Sequence, residues 1–172
     1  MLEFQIDTRE LSRQLLEFPD KLARRSLSRA ASSGAAVVRN RAREYARAIG
    51  LHDTGRLVRS ISIMRVRTPN WRRESIYGVY HSMTPYLQRV THLSGERYVF
   101  NYGAAYERGF ISPAGERKHR PHIRPALDEN IGEVIEAVRN RLALEIRVMR
   151  WELGTGQKFV ARRHAHLLDT DE

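Results

Sequence analysis

The apolar positions of this chain change period twice, from helical to alternating and back. Near the start, Ile6-Asp7-Thr8-Arg9-Glu10 has the spacing of a capping box, with Asp7 as N-cap and Glu10 three residues on. Leu11, Leu15 and Leu16 then give a short first helix its apolar face. Phe18-Pro19-Asp20 interrupts it, because proline lacks the backbone donor and disfavours helix in its predecessor. Proline is tolerated in a first turn, so a second helix is predicted to start there. Ala23, Leu27, Ala30, Ala31, Gly34, Ala35, Val38, Ala42, Tyr45, Ala46 and Ile49 follow at three-and-four spacing, and Gly50 is placed to close the helix in a left-handed cap. Its middle, AASSGAA, is small enough for another backbone to come close. It suits a helix buried under a sheet, or one packed against a copy of itself or a neighbour.

From Ser60 the period becomes two. Ile61, Ile63, Arg65 and Arg67 fall on one side of a predicted strand, and Ser62, Met64 and Val66 on the other. Thr68-Pro69-Asn70 is a turn signal, and 75–81 (SIYGVYH) and 97–102 (RYVFNY), rich in β-branched and aromatic residues, read as further strands. Between them, residues 83–96 exceed a tight hairpin turn and are too apolar for a solvated tail, so they read as an inserted loop, ordered by itself or by a partner. The stretch from Gly103 to Pro125 carries too many glycines and prolines for regular structure. Pro125 fits the first turn of a last helix, whose stripe is Leu127, Ile131, Val134, Ile135, Val138, Leu142, Ile146 and Met149, stopped by Gly154-Thr155-Gly156. The pattern predicts one α+β domain over 1–153, with a long N-terminal helix and a C-terminal amphipathic helix packed on a small antiparallel β-sheet. Residues 154–172 read as a flexible or partner-ordered tail.

Composition narrows the chemistry. The 172 residues include no cysteine, which excludes a disulfide scaffold, a thiolate zinc site and a cysteine nucleophile. No apolar run approaches the roughly 20 residues of a membrane span, so no membrane partner is expected. The charged start MLEFQIDTRELSRQ has no signal-like apolar core, so export by a cleaved signal is not expected. No phosphate loop ending in Lys-Ser/Thr, nucleophile elbow or HExxH occurs. His119 and His122 flank Arg120-Pro121, and His164 and His166 lie near the end; a zinc site would need further ligands, and both pairs read as surface residues. Asp53 beside His52, and Glu107 before Arg108-Gly109, have no partner identifiable in sequence. No catalytic residue, metal ligand or cofactor is therefore expected, and the chain reads as non-enzymatic.

Thirty Lys and Arg against 20 Asp and Glu give a net charge of +10. Arg25, Arg29, Arg39, Arg43 and Arg47 recur along the long helix as a basic ridge, either a solvated face or an electrostatic interface. The charge, with tyrosines interleaved among arginines, leaves a basic nucleic-acid-binding or DNA-packaging accessory protein as one reading. Against it, no helix-turn-helix, RNP-type or zinc-finger pattern is present, and the aromatics fall at strand periodicity, where core packing explains them.

Three segments, in order, carry a resemblance: HDTGRLVRSI at 52–61, GAAYERGF at 103–110 and RPHIRPALDEN at 120–130. With the long Ala/Arg helix before them and an amphipathic helix after, they resemble the gene-product-ten-like family of long-tailed bacteriophages, tail-completion or head–tail joining proteins also described as neck or minor tail proteins. Thr54, Gly55, Leu57, Ser60 and Ile61 match its first motif; Tyr106, Glu107 and Gly109 its second; Pro121, Ile123, Arg124, Pro125, Ala126 and Leu127 its third. His122-Ile123 stands where the family commonly has Phe-Leu. The resemblance implies a structural virion protein of a phage or prophage, assembled in the host cytoplasm into a homo-oligomeric ring, usually six-fold. Its partners would be copies of itself and adjoining neck, tail-terminator or tail-tube rings, near the phage DNA path.

The motifs also make physical sense alone. Asp53 or Thr54 can cap a short turn, and Gly55 allows close backbone approach there. Leu57 and Ile61 would enter the core, and 120–125 would deliver Ala126 and Leu127 to the last helix. Glu107 is placed to hold Arg124 or Arg120 by a charge-assisted hydrogen bond. The +10 charge then reads mainly as complementary to acidic faces of adjoining rings.

Overall fold

A computed structural model describes residues 18–51, 55–67, 74–82, 88–91, 97–112 and 114–156, with backbone alone at 88–91 and 97–100. The capping box and first short helix, the Thr68-Pro69-Asn70 turn, Asp53 and Thr54, and the chain from 157 onward lie outside them. The elements are α1 (Asp20–Ala48), α2 (Arg56–Ser60), β1 (Ile61–Val66), β2 (Ile76–His81), β3 (Gln88–Thr91), β4 (Arg97–Phe100), α3 (Tyr102–Arg108), β5 (Phe110–Ile111), β6 (Arg117–Lys118), α4 (Ile123–Asp128) and α5 (Ile131–Thr155). The fold is α+β: two long helices with a small antiparallel sheet.

Helix α1 runs unbroken for 29 residues and ends where expected. Gly50 has φ +77°. Its N–H donates to Arg47 O at 3.0 Å, and that of Leu51 to Ala46 O at 2.8 Å, the paired bonds of a Schellman close. Leu51 and Ala46 are both buried, so the cap also pins the chain to the core.

The small middle of α1 is used within the chain. A Cβ on Gly34 would lie 2.7 Å from Val138 Cγ2 and 3.3 Å from Val134 Cγ1, so α5 has come close enough to occupy that space. Ser33 Oγ donates to Ala137 O across the same seam at 3.1 Å. The helices run antiparallel, since Arg25 pairs with Glu152, Arg29 with Glu145 and Arg41 with Glu133. Glu145 is buried on the apolar stripe among Leu142, Ile146 and Met149. It survives there because Arg29 reaches it at 3.0 Å, Arg141 at 2.6 Å and Ser26 Oγ at 3.4 Å. Phe18, Ala30, Leu142, Ile146 and Met149 form the core at this end of the seam.

The second core cluster lies under β1 and β2: Val38, Ala42, Ala46, Leu51, Val58, Ile61 and Ala126. β1 and β2 pair antiparallel from Ile61↔His81 to Val66↔Ile76. The inner face carries Ile61, Val79 and His81, with Tyr77 Oη 2.8 Å from Ser28 Oγ of α1. The outer face leaves Met64, Val66 and Ile76 exposed.

Three local expectations are corrected. Residues 88–91, read as part of the inserted loop, form β3, which pairs antiparallel with β4 from Gln88↔Phe100 to Thr91↔Arg97. The described strands form three two-stranded antiparallel ladders. The stretch after β4 is not irregular: Asn101 Oδ1 accepts the Ala104 N–H at 3.1 Å and starts α3, which Gly109 ends at φ +85°. Its Ala, Glu and Arg residues are good helix formers, so the N-cap outweighs one internal glycine. The last helix is split. Pro125 sits in the first turn of α4, and Asn130 Nδ2 donates to Ala126 O at 3.0 Å where α4 ends and α5 begins. At the far end α5 includes Gly154 and Thr155 and closes at Gly156, φ +68°.

The seam makes a paired prediction. Glu145→Met keeps the volume and releases two arginines that can reach water, so chemical denaturation should show a change within about 1 kcal/mol. Arg29→Met with Arg141→Met strands a buried carboxylate and should cost about 3–5 kcal/mol.

Candidate functional site

The three motif segments meet at one buried point. Ser60 closes α2, His81 ends β2, Glu107 lies in the last turn of α3, and His122 precedes α4. Ser60 is 3% exposed, His81 6% and His122 0%. Ser60 Oγ lies 2.6 Å from Leu57 O and 2.8 Å from His81 Nδ1. The two imidazoles face each other with Nε2 atoms 2.8 Å apart, ring planes at 68°. His122 Nδ1 is 3.0 Å from Arg120 O and 3.4 Å from Glu107 Oε2.

The contacts along this line restrict where its protons can sit. All four close contacts are satisfied together when Ser60 donates to Leu57 O, His81 Nδ1–H donates to Ser60, His122 Nδ1–H donates to Arg120 O, and the two Nε2 atoms share a single proton between them. Burial first, and then the charge of His122, lower the His81 pKa to about 4, with Glu107 pulling the other way.

Glu107 does not hold the guanidinium of Arg124 or Arg120 as expected. Its carboxylate accepts the backbone N–H groups of His122 at 2.9 Å, Ile123 at 3.1 Å and Arg124 at 2.9 Å, donors at the start of α4 without intrahelical partners. Burial pushes its pKa up, but those three bonds and the charge of His122 outweigh it and leave the carboxyl below its ordinary value. Arg124 pairs instead with Asp128 at 3.6 Å, and Arg120 donates to Ile49 O at 3.2 Å, tying the loop to the end of α1.

The remaining motif residues support this junction. Ile61 and Ala126 are fully buried, and Leu57, Tyr106, Ile123 and Leu127 pack around them. Gly55 has φ +64°, and a Cβ there would meet nothing nearer than the Arg59 guanidinium at 3.9 Å, so the glycine serves the left-handed turn rather than a close approach. Gly103 does mark a close approach: a Cβ would fall 2.2 Å from His81 Nδ1. Gly109 has φ +85° and backs onto His119. Pro121 and Pro125 flank His122 and the first turn of α4.

Two sequence expectations fail here. His122 is wholly buried rather than a surface-loop residue, because His81 and Arg120 O satisfy its ring. His81 was counted only as part of a strand; its alternation with Val79 and Tyr77 on the inner face was the available signal. His122 occupies the place where the resembled pattern carries phenylalanine, so a polar ring in this core needs the partner that His81 supplies.

The hydroxyl–imidazole–imidazole–carboxylate order resembles a nucleophile relay. Its burial prevents that chemistry: the hydroxyl hydrogen is held by Leu57 O, and the Cα of Gly103 closes over His81. Two imidazoles facing nitrogen to nitrogen are also short of ligands for a metal, and among the described residues no group of three or more His, Cys, Asp or Glu side chains could hold one. An open depression of about 530 Å³ lined by Arg47, Gly55, Val58 and Arg59 lies beside α2.

The basic ridge of α1 is largely occupied within the chain. Arg25 lies 2.7 Å from Glu152, Arg29 holds Glu145, and Arg43 Nη2 donates to Ile61 O at 2.8 Å. Arg39 is drawn to the neighbouring Asn40. Arg47 lines the depression with Arg59.

Two outcomes test the junction. Gly103→Ala should expel His81 and destabilise by about 3 kcal/mol in thermal melts, whereas Gly115→Ala, at φ +81° in open space, should cost about 1 kcal/mol. The pH dependence has a definite sign. Unfolded His81 takes up its proton near its ordinary value of 6.5 and folded His81 only near 4, so the unfolded state binds more protons between them. Stability is therefore full above about pH 6.5 and should fall by about 3 kcal/mol as pH drops toward 4. The depressed Glu107 adds a loss as it protonates at the acid end. Denaturant midpoints unchanged between pH 7 and pH 5 would show that His81 is not held neutral.

No protein-family model matches the chain, and no curated protein or solved structure matches it either, so its function rests on this geometry and on the sequence.

Proposed function

We propose that this chain is a structural virion protein of a tailed phage or prophage, a tail-completion or head–tail joining subunit that works as one copy of a ring at the junction of neck and tail. One observation carries the reading. The three segments behind the resemblance converge on a single sealed junction, where their polar groups satisfy one another and their apolar groups fill one core. Segments used in this way specify a protomer, which is what a subunit of a larger assembly needs from them.

The surface supports the same reading. The ribbon of β1 and β2 is two-stranded, and among the described residues no further strand pairs with either edge. Met64, Val66 and Ile76 lie together on its outer face, with Val66 directly opposite Ile76. Exposed apolar side chains beside unpaired strand edges are suited to cover by another subunit. A head-to-tail contact of this kind closes into a ring when its rotation permits.

Mass photometry of the purified protein, alone and mixed with tail tubes from the same phage, tests the proposal. The expected result is a closed homo-oligomer, six-fold by the resemblance, in at least one condition. A monomer in both conditions, with no incorporation into tails, would overturn it.

A further inference from the structure

With the α1 ridge largely engaged within the chain, a second basic patch stands out among the described residues. Between α3 and α4 the chain makes a small hairpin, β5 and β6, paired Phe110↔Lys118 and Ile111↔Arg117. Gly115, at φ +81°, turns the tip, where Ser112 N–H donates to Glu116 O at 2.8 Å and Gly115 N–H to Ser112 O at 2.8 Å. Residues 108–120 hold Arg108, Arg117, Lys118 and Arg120 against one acidic side chain, Glu116. Glu116 reaches only Lys118, at 3.7 Å, and Arg108 and Arg117 are exposed.

The hairpin is rigidly based. Phe110 packs edge-on against Tyr106 with ring centroids 5.3 Å apart. Arg120 N–H donates to Tyr106 O at 2.9 Å, and His119 Nε2 lies 3.2 Å from Glu107 O. Because side chains alternate along a strand, Phe110 and Lys118 share the face turned to the body, while Ile111 and Arg117 share the face turned away. Ile111 is 74% exposed, the highest among the large apolar side chains of the described residues, and a cation stands directly opposite it.

We propose that the β5–β6 hairpin is a contact for duplex DNA, entering the major groove with Ile111 toward the base edges and with Arg117, Lys118 and Arg108 on the phosphates. The groove is wide enough for a two-stranded ribbon and presents thymine methyl groups to an apolar tip. Arg117 stands on the outward face beside Ile111, and the Lys118 side chain, although on the inward face, is 41% exposed, so the two can reach the phosphates on either side of the cleft. A flat acidic protein face would engage one side and leave Ile111 without an apolar partner. The contact is independent of the ring: failure to oligomerise would remove the virion reading and leave the hairpin untouched.

The experiment is fluorescence anisotropy of the full chain with a labelled random-sequence duplex, from 50 to 200 mM salt. Three phosphate contacts predict a log–log slope of about −2.7, so affinity should fall about fortyfold over that range. Arg117→Ala, Lys118→Ala and Arg108→Ala should each flatten the slope by about 0.9, while Arg150→Ala, exposed on α5, should leave it unchanged. Ile111→Ser should weaken binding about tenfold at every salt concentration with the slope intact, as expected for an apolar contact. All five positions are on the surface, and unchanged melting temperatures would confirm that the variants fold. Undetectable binding at 50 mM salt, or slopes that ignore the three hairpin cations, would overturn the proposal. Competition by poly-glutamate as strong as by unlabelled duplex at equal charge would overturn it too, and assign the hairpin to an acidic protein.

Discussion

The closeness of α1 to α5 at Gly34 is the constraint on which the other contacts rest. With no side chain there, Val134 and Val138 occupy the space a Cβ would need, and the two longest helices share one seam. Close approach brings Glu145 out of solvent, which is tolerable only because Arg29, Arg141 and Ser26 converge on it. That set of charges admits one alignment of the helices. Shifting α5 by a turn would leave a carboxylate in the core without its cations.

The seam leaves the far half of α1 as the floor for the rest. The β1–β2 ribbon, α2 and α4 lie against Val38, Ala42 and Ala46, and the Schellman close at Gly50 returns the chain into the same cluster. The polar line from Ser60 through His81 and His122 to Glu107 sits at this meeting place. It ties together segments far apart in the chain through charge and hydrogen bonds. The cost of burying two imidazoles is offset because each ring nitrogen has a partner and a carboxylate, Glu107, lies beside His122. The same arrangement makes the junction sensitive to acid, since a second proton on the pair would place two like charges in contact.

Charge is where sequence and structure diverge most. Arg25, Arg29, Arg39, Arg43 and Arg47 follow each other at helical spacing and read as a ridge. In three dimensions Arg25 and Arg29 serve α5 and Arg43 serves the start of β1. Arg108 and Arg117 are exposed instead on and beside the β5–β6 hairpin, in a stretch whose glycines and prolines predict no regular structure. A linear charge pattern records which residues are basic; which of them are available depends on where acidic groups and carbonyls land after folding.

Local physics was legible in the chain itself. The long helix over 20–48 and its glycine close, the alternation of β1 and β2, the stripe of α5 and the α+β order all follow from periodicity and capping, which neighbouring residues decide. Asn101 as the N-cap of α3, the strand at 88–91 and the break at Asn130 were less visible, because each competes with an equally plausible local pattern. What only the tertiary structure decided are the pairings between residues distant in the chain: Gly34 with Val138, Glu145 with Arg29, His81 with His122, and Glu107 with the N–H groups before α4. Each joins groups whose separation in sequence says nothing of their separation in space. A histidine beside two prolines has the same local signature whether it faces water or another imidazole, and only the packing of four segments around it made it the centre of the fold.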